Sequence, residues 1–197
     1  MGRGSLVEPS PFFTMDIYRN ADKWSWFNEL SYNQVIDYTK GIVNEFITLN
    51  ELKEYCKISY STDDALLTSL ITAAREVCEN YTNRSFGERE MICWINNNNG
   101  NTQLPFGPIS EIVKVSDEFG TEVTYQTRGT SFIQINFPRS ILKVEYNAGK
   151  SNVEEVFKTA IKAQALFMYE NRGDAQRDTL QGTSPIAQVL LNPYRRV

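Results

Sequence analysis

The residues able to do chemistry are few. The 197-residue chain contains no His. Imidazole is the one side chain whose unperturbed charge changes near neutral pH, so His-based acid–base catalysis, Ser–His and Cys–His pairs and His metal ligation are excluded. Cys56, Cys78 and Cys93 stand 22 and 15 positions apart, with an odd thiol and no CxxC spacing. That pattern predicts reduced core cysteines, not a zinc site or a disulfide framework. Asp63-Asp64 and Glu154-Glu155 are adjacent carboxylate pairs, a residue type that binds divalent cations or exchanges protons. Both pairs fall in the opening turn of a predicted helix, where acids satisfy free amides and the macrodipole, so capping accounts for them better than a site does. Gly107, Gly120, Gly129 and Gly149 form no GxGxxG, and GxxxxGK[ST] does not occur, so no backbone cradle for phosphate is written in. No signature singles out a Ser–Lys dyad. The reading is of a protein that is not an enzyme, with no cofactor, no metal and no catalytic residue.

The elements around these residues must then do something other than position a reaction. With 41% hydrophobic and 22% charged residues the chain has the balance of a folded protein. Its 20 Lys+Arg against 24 Asp+Glu leave a formal charge of −4, which argues against nonspecific coating of nucleic acid. No apolar run approaches the roughly 18 residues of a membrane span, and the start, MGRGSLVEPSPFF, lacks a secretory core. The expectation is a chain with no membrane partner, cytosolic when made.

Along the chain, residues 1–44 read as an extended, aromatic-rich arm with one short helix near 32–40, suggested by Ser31 and Gln34 as a capping box and by Gly41 as a stop. Nine of the 24 aromatics lie between Phe12 and Phe46. Such density suits either a local core or an arm that docks on a surface, with Trp24, Trp26 and Phe27 as the docking candidates. Thr48 and Glu51 make a second capping box, opening a helix from 49 to about 57, and Ser61 to Asp64 open a longer one. In that second helix Leu66, Leu67, Leu70, Ile71, Ala74, Val77, Cys78 and Tyr81 recur at helical spacing up to Asn83. From Glu90 to Tyr146 the period becomes strand-like, in runs at 91–95, 109–115, 123–127, 132–137 and 141–146 separated by turn residues. This predicts an antiparallel β meander over 88–147, with a hairpin tip at Asn96 to Gly100.

Ser151 and Glu154 suggest a further capping box, starting a helix of about 20 residues that ends at Gly173. Its second half is apolar nearly all round, so Ile161, Leu166, Phe167 and Tyr169 are expected to be covered by another subunit. Residues 182–197 read as an anchoring tail with an apolar run, Val189-Leu190-Leu191, followed by Asn192-Pro193-Tyr194-Arg195-Arg196. Arg172, Arg177, Arg195 and Arg196 outweigh Asp174 and Asp178 there, a charge that serves as a solvated face, or that pairs with an acidic partner or with phosphates in a channel. The fold class is therefore α+β: a small helical bundle of two N-terminal helices (48–84) and a long C-terminal helix (151–172), an inserted antiparallel β meander, an extended N-terminal arm and a C-terminal tail beyond a 45–181 domain.

The order of these pieces resembles tailed-phage head–tail connector proteins, the adaptor or head-completion family. The resemblance rests on Ile47-Thr48-Leu49-Asn50-Glu51-Leu52-Lys53, Asp63-Asp64-Ala65-Leu66-Leu67, Ala73-Ala74-Arg75 and Glu79 to Arg84. It continues through Leu104-Pro105-Phe106-Gly107-Pro108-Ile109 with Val113 to Val115 and Asp117 to Gly120, similar to the β insertion of longer members, then Val144-Glu145-Tyr146-Asn147-Ala148-Gly149, Tyr169-Glu170-Asn171-Arg172 and Leu190-Leu191-Asn192-Pro193-Tyr194-Arg195. It spans roughly 45–197; residues 1–44 have no counterpart, and the Pro usual at the start of the last helix is replaced by Gly149-Lys150-Ser151-Asn152. What it implies is a homo-oligomeric ring, commonly dodecameric, in the virion neck after assembly in the host cytoplasm. Such a ring docks below the portal protein, passes double-stranded DNA without sequence specificity and presents a surface to a stopper or tail-side neck protein. The tail would grip the portal through Leu190, Leu191, Tyr194, Arg195 and Arg196. A ring suits an all-round apolar helix, because head-to-tail contacts close by rotation and cover it. The rival readings are another neck or tail component, such as a stopper or tail-completion protein, and a small oligomeric enzyme.

Overall fold

A computed structural model describes residues 34–40, 45–96, 101–137, 141–171 and 182–196. Trp24, Trp26 and Phe27, like the rest of the arm up to residue 33, lie outside the described residues, as does the Asn97 to Gly100 tip.

The first described element corrects the sequence reading. Gln34–Lys40 is a β-strand, β1, not a helix. Its pairing with Arg89–Asn96 (β2), Gln34 opposite Ile95 through Lys40 opposite Glu90, outweighs a local helix-start signal. Val35, Ile36, Tyr38 and Thr39 are the β-branched and aromatic types that favour a ladder, and Ile36 packs against the sheet's core.

The helical part begins at α1 (Leu49–Cys56) and α2 (Asp64–Thr82). The Thr48 capping box forms as read: Glu51 N–H donates to the Thr48 hydroxyl at 3.2 Å and Thr48 N–H to the Glu51 carboxylate at 2.6 Å. The Thr48 N–H, and after it the Thr48 hydroxyl, donate to the Glu51 carboxylate and hold it below its usual range. Asn83 ends α2 in the left-handed region, with φ 51°. The third helix, α3, runs from Glu155 to Glu170 with Glu154 at its N-cap and no side-chain cap bond, so the Ser151 box does not form and the helix is shorter than read. Val153 is buried in the helical core at that point, which sets where the chain enters the helix. A short fourth helix, α4 (Pro185–Leu191), ends in a 3-10 turn over Asn192–Tyr194. All four helices share one apolar core that includes Leu52, Leu67, Ile71, Cys78, Phe157, Ile161, Ala165, Tyr169, Ala187 and Leu191.

The insertion is antiparallel, as read, but it is not a simple meander. β2, Ile141–Ala148 (β7) and Ile109–Asp117 (β4) join β1 in one sheet of order β1-β2-β7-β4, and Asn101–Gln103 (β3), Gln126–Arg128 (β5) and Gln134–Asn136 (β6) form a second of order β3-β6-β5. β7 alternates strictly, burying Leu142, Val144, Tyr146 and Ala148 on one face, and it lies between β2 and β4. Both sheets contribute to one core, with Met91, Cys93 and Ile95 from the first and Ile135 from the second.

A charged network joins helix to sheet. Glu79, 2% exposed, accepts from Arg75 Nη1 at 2.8 Å and from the Phe86 N–H at 2.8 Å, and it pairs with Arg89 of β2. At the same junction Gly149 has φ +97°, and a Cβ there would stand 1.9 Å from the Gly87 carbonyl oxygen, so only glycine fits the crossing from β7 toward α3.

Candidate functional site

The C-terminal segment is built onto the helical core by its first polar residues. Gln164, fully buried on α3, donates Nε2 to the Gly182 carbonyl at 2.9 Å and accepts the Ser184 N–H at 2.6 Å. Ser184 caps α4 through the Ala187 N–H, and Pro185 occupies the first turn, where its missing donor costs nothing. Ala187 and Leu191 are completely buried, whereas Ile186 and Val189 are 59% and 73% exposed. Beyond the helix, the Tyr194 ring meets Phe157 edge-on at 4.9 Å, and Phe157 stacks on Phe86 at 4.5 Å.

Three guanidiniums gather at this end. Arg84 Nε donates to the Tyr194 carbonyl at 2.8 Å, and its guanidinium lies 4.8 Å from the Phe132 ring centre. Arg196 lies 4.4 Å from the same ring, with its N–H bonded to the Thr82 carbonyl at 3.1 Å, and Arg195 sits 5.2 Å from the Tyr81 ring. Burial, then the charge of Arg196, pulls the Arg84 guanidinium below its ordinary pKa. Two like charges thus share the Phe132 ring, and Arg195 and Arg196 are exposed, which makes this face positive.

The structure separates the residues singled out in the sequence. Leu191 lies in the core, Leu190 and Tyr194 are half-buried against it, and Arg195 and Arg196 are exposed while lying over the Tyr81 and Phe132 rings. On α3, Ile161 is 1% and Tyr169 9% exposed within this one chain. The cover expected from a neighbouring copy is supplied there by α1, α2 and α4, and the Tyr169 hydroxyl bonds Asp63 and Tyr60. Leu166 and Phe167 remain half-buried. The carboxylates of α2 also have structural partners: besides the Tyr169 contact to Asp63, Lys53 binds Asp64 at 2.6 Å. Burial pushes the Cys78 and Cys93 thiols up to about 12, and burial likewise raises Cys56, so none is poised as a thiolate near neutral pH.

Sequence reasoning missed three features: the buried Arg75–Glu79–Arg89 cluster, the place of Arg84 beside the tail, and Phe119, which is 85% exposed. Only the i,i+4 spacing of Arg75 and Glu79 was visible as a signal. A cavity bordered by Arg84, Phe86, Asn152 and Phe157 holds about 20 Å³, room for one water. Among the described residues no group of three or more Cys, Asp or Glu side chains is placed to hold a metal ion, and no helix is long and apolar enough to cross a membrane.

The helical core carries a β insertion, and the C-terminal segment leaves Ile186, Val189, Arg195 and Arg196 exposed. Residues 45–192 match the head completion protein family, and the chain belongs to it. Among curated proteins none matches. Among solved structures it is similar to a chain in the neck of an empty GTA particle computed with C6 symmetry, with 15% identity and TM-score 0.64 over 83% of this chain and 96% of that one. A chain in the virion of a native gene transfer agent particle shares 17% identity at TM-score 0.64 over 82% and 95%. One in the neck of the native particle computed with C12 symmetry shares 16% at 0.62 over 83% and 96%. At such identities these likenesses show the fold.

Proposed function

We propose that this chain forms a ring, most simply of twelve copies as the C12 symmetry of one related neck suggests, which docks below the portal protein. The ring extends the channel for double-stranded DNA, which passes without sequence readout. It offers its far side to a stopper or tail-side neck protein, and it catalyses no reaction. Assembly occurs in the host cytoplasm. The observation that carries this reading is the end of the chain: α4 is fixed by Ala187 and Leu191, so Ile186, Val189, Arg195 and Arg196 are presented outward on a firm support. Leu190 and Tyr194 border that face, and Leu191 serves by holding it in place. Leu166 and Phe167 supply the subunit contact. Repetition around a ring multiplies weak grips into tight attachment.

Native mass spectrometry of the chain with and without portal rings tests the proposal. The expected result is portal assemblies carrying a full ring of copies. An R195E/R196E variant should carry at least about tenfold fewer, a loss typical of one good interface anchor, while its circular dichroism stays that of the wild type. A chain that keeps one small oligomeric mass and ignores the portal would overturn the proposal.

A further inference from the structure

The far end of the insertion carries a second exposed apolar group of a different kind. Phe119 is 85% exposed, more than any other large apolar side chain among the described residues. A single exposed aromatic is ordinary on a protein surface; its setting is not. The turn that carries it is pinned by one carboxylate: Asp117 Oδ1 accepts the Phe119 N–H at 3.0 Å and the Thr121 N–H at 2.8 Å. The Asp117 main chain closes the same turn, donating to the Thr121 carbonyl at 2.9 Å and accepting the Gly120 N–H at 3.1 Å. Gly120 has φ +86° with open space around it, so the turn is set by its own bonds and not by packing. An aromatic presented on a preformed turn loses little freedom when it is buried by a partner, which is the property of an interface anchor.

Charge and place identify the partner's chemistry. From Val115 to Thr127 there are three carboxylates, Asp117, Glu118 and Glu122, and no Lys or Arg. Lys114 and Arg128 flank this stretch, and Lys143, opposite Ser116, is paired with Glu145, so the turn itself carries the negative charge, which disfavours phosphates. It complements an apolar pocket with a rim of Lys or Arg on another protein. The strand register gives the direction. Ile109 lies opposite Ala148 at the end where Ser85 N–H bonds the Gly107 carbonyl beside the helices, and Asp117 lies opposite Leu142 at the other end. Nine residues of β4 separate the two ends by about 25 Å at the usual strand rise. Arg84, Arg196 and Phe132 cluster at the helical end, so tail and tip are at opposite ends of the insertion.

We infer that Phe119, framed by Glu118 and Glu122, is the anchor that enters a basic-rimmed apolar pocket of the next protein on the tailward side. The inference rests on the connector reading above. Particles assembled with F119S, or with E118K/E122K, in place of the wild-type chain test it; quantitative mass spectrometry of every virion protein is the readout. Asp117 is left intact because it holds the turn. The expected result is wild-type amounts of this chain on the heads and about a tenfold or greater loss of one tailward protein for F119S. E118K/E122K should lose the same protein, and attachment of that protein to wild-type heads should weaken as salt rises. Wild-type amounts of every tailward protein in both variants would overturn the inference and leave the connector reading standing. Loss of the variant chain itself from the heads, with the purified variant folded, would also overturn it, because the tip would then contact the portal or another copy. Failure of the wild-type chain to join heads at all would overturn the connector reading instead.

Discussion

Replacing Glu79 by alanine is expected to destabilise the folded chain by about 3–5 kcal/mol, the cost of stripping one partner from a buried ion cluster. Glu79 satisfies three donors at once: the guanidiniums of Arg75 and Arg89 and the Phe86 N–H. Arg75 and Arg89 are themselves only 6% and 8% exposed. Arg75 is held above its ordinary pKa: burial alone opposes its charge, but the hydrogen bond to Glu45 and the attraction of Glu79 outweigh that opposition. Removing Glu79 leaves both guanidiniums buried with fewer acceptors, which costs more than the cluster contributes when intact. Glu79→Gln keeps an acceptor for the Phe86 amide and should lose less than Glu79→Ala. Urea unfolding at unchanged m-value is the measurement. A loss below about 1 kcal/mol for Glu79→Ala would mean that water reaches the cluster and that it is not the joint between helix and sheet.

Deleting residues 182–197 is expected to damage the fold and not merely to blunt docking. Leu191 and Ala187 have no exposed surface, and Gln164 would lose both of its bonds to the segment. Truncating Leu191 alone to alanine should cost about 2–5 kcal/mol, and the deletion more, because Ala187 and Leu191 would leave the shared core and Phe157 would lose the Tyr194 ring. The truncated chain should unfold at much lower urea and bind a hydrophobic dye, whereas R195E/R196E, which gives up two exposed cation–ring contacts but keeps Ala187, Leu191 and the Gln164 bonds, should do neither. A deletion that unfolds at the wild-type midpoint would show the segment to be a separable tail.

Both predictions depend on features that local pattern conveyed unequally. The Thr48 capping box and the apolar stripe of α2 were legible, since each is written within one turn or one face. The strand β1 was not, because its identity depends on pairing with residues 50 to 61 positions away, and a Ser-x-x-Gln start with a Gly stop looks helical on its own. The all-round apolar half of α3 was seen, but its cover was assigned to a neighbour. Periodicity shows that a surface must be covered without showing by what, and α4, at seven residues, is too short to announce itself. Of the proposed docking face, Arg195 and Arg196 are visible in the sequence as charge, yet Arg84 joins them only through the fold. Phe119 falls among the turn residues between the 109–115 and 123–127 runs, and its exposure follows only from tertiary placement.

A reconstruction of the virion neck at side-chain detail tests the central claim most directly. The account predicts a closed ring of this chain between the portal and the next neck protein, with α4, Arg195 and Arg196 against the portal and Phe119 at the opposite end. A neck in which this chain is missing, or lies elsewhere in the particle with no portal contact, would contradict it.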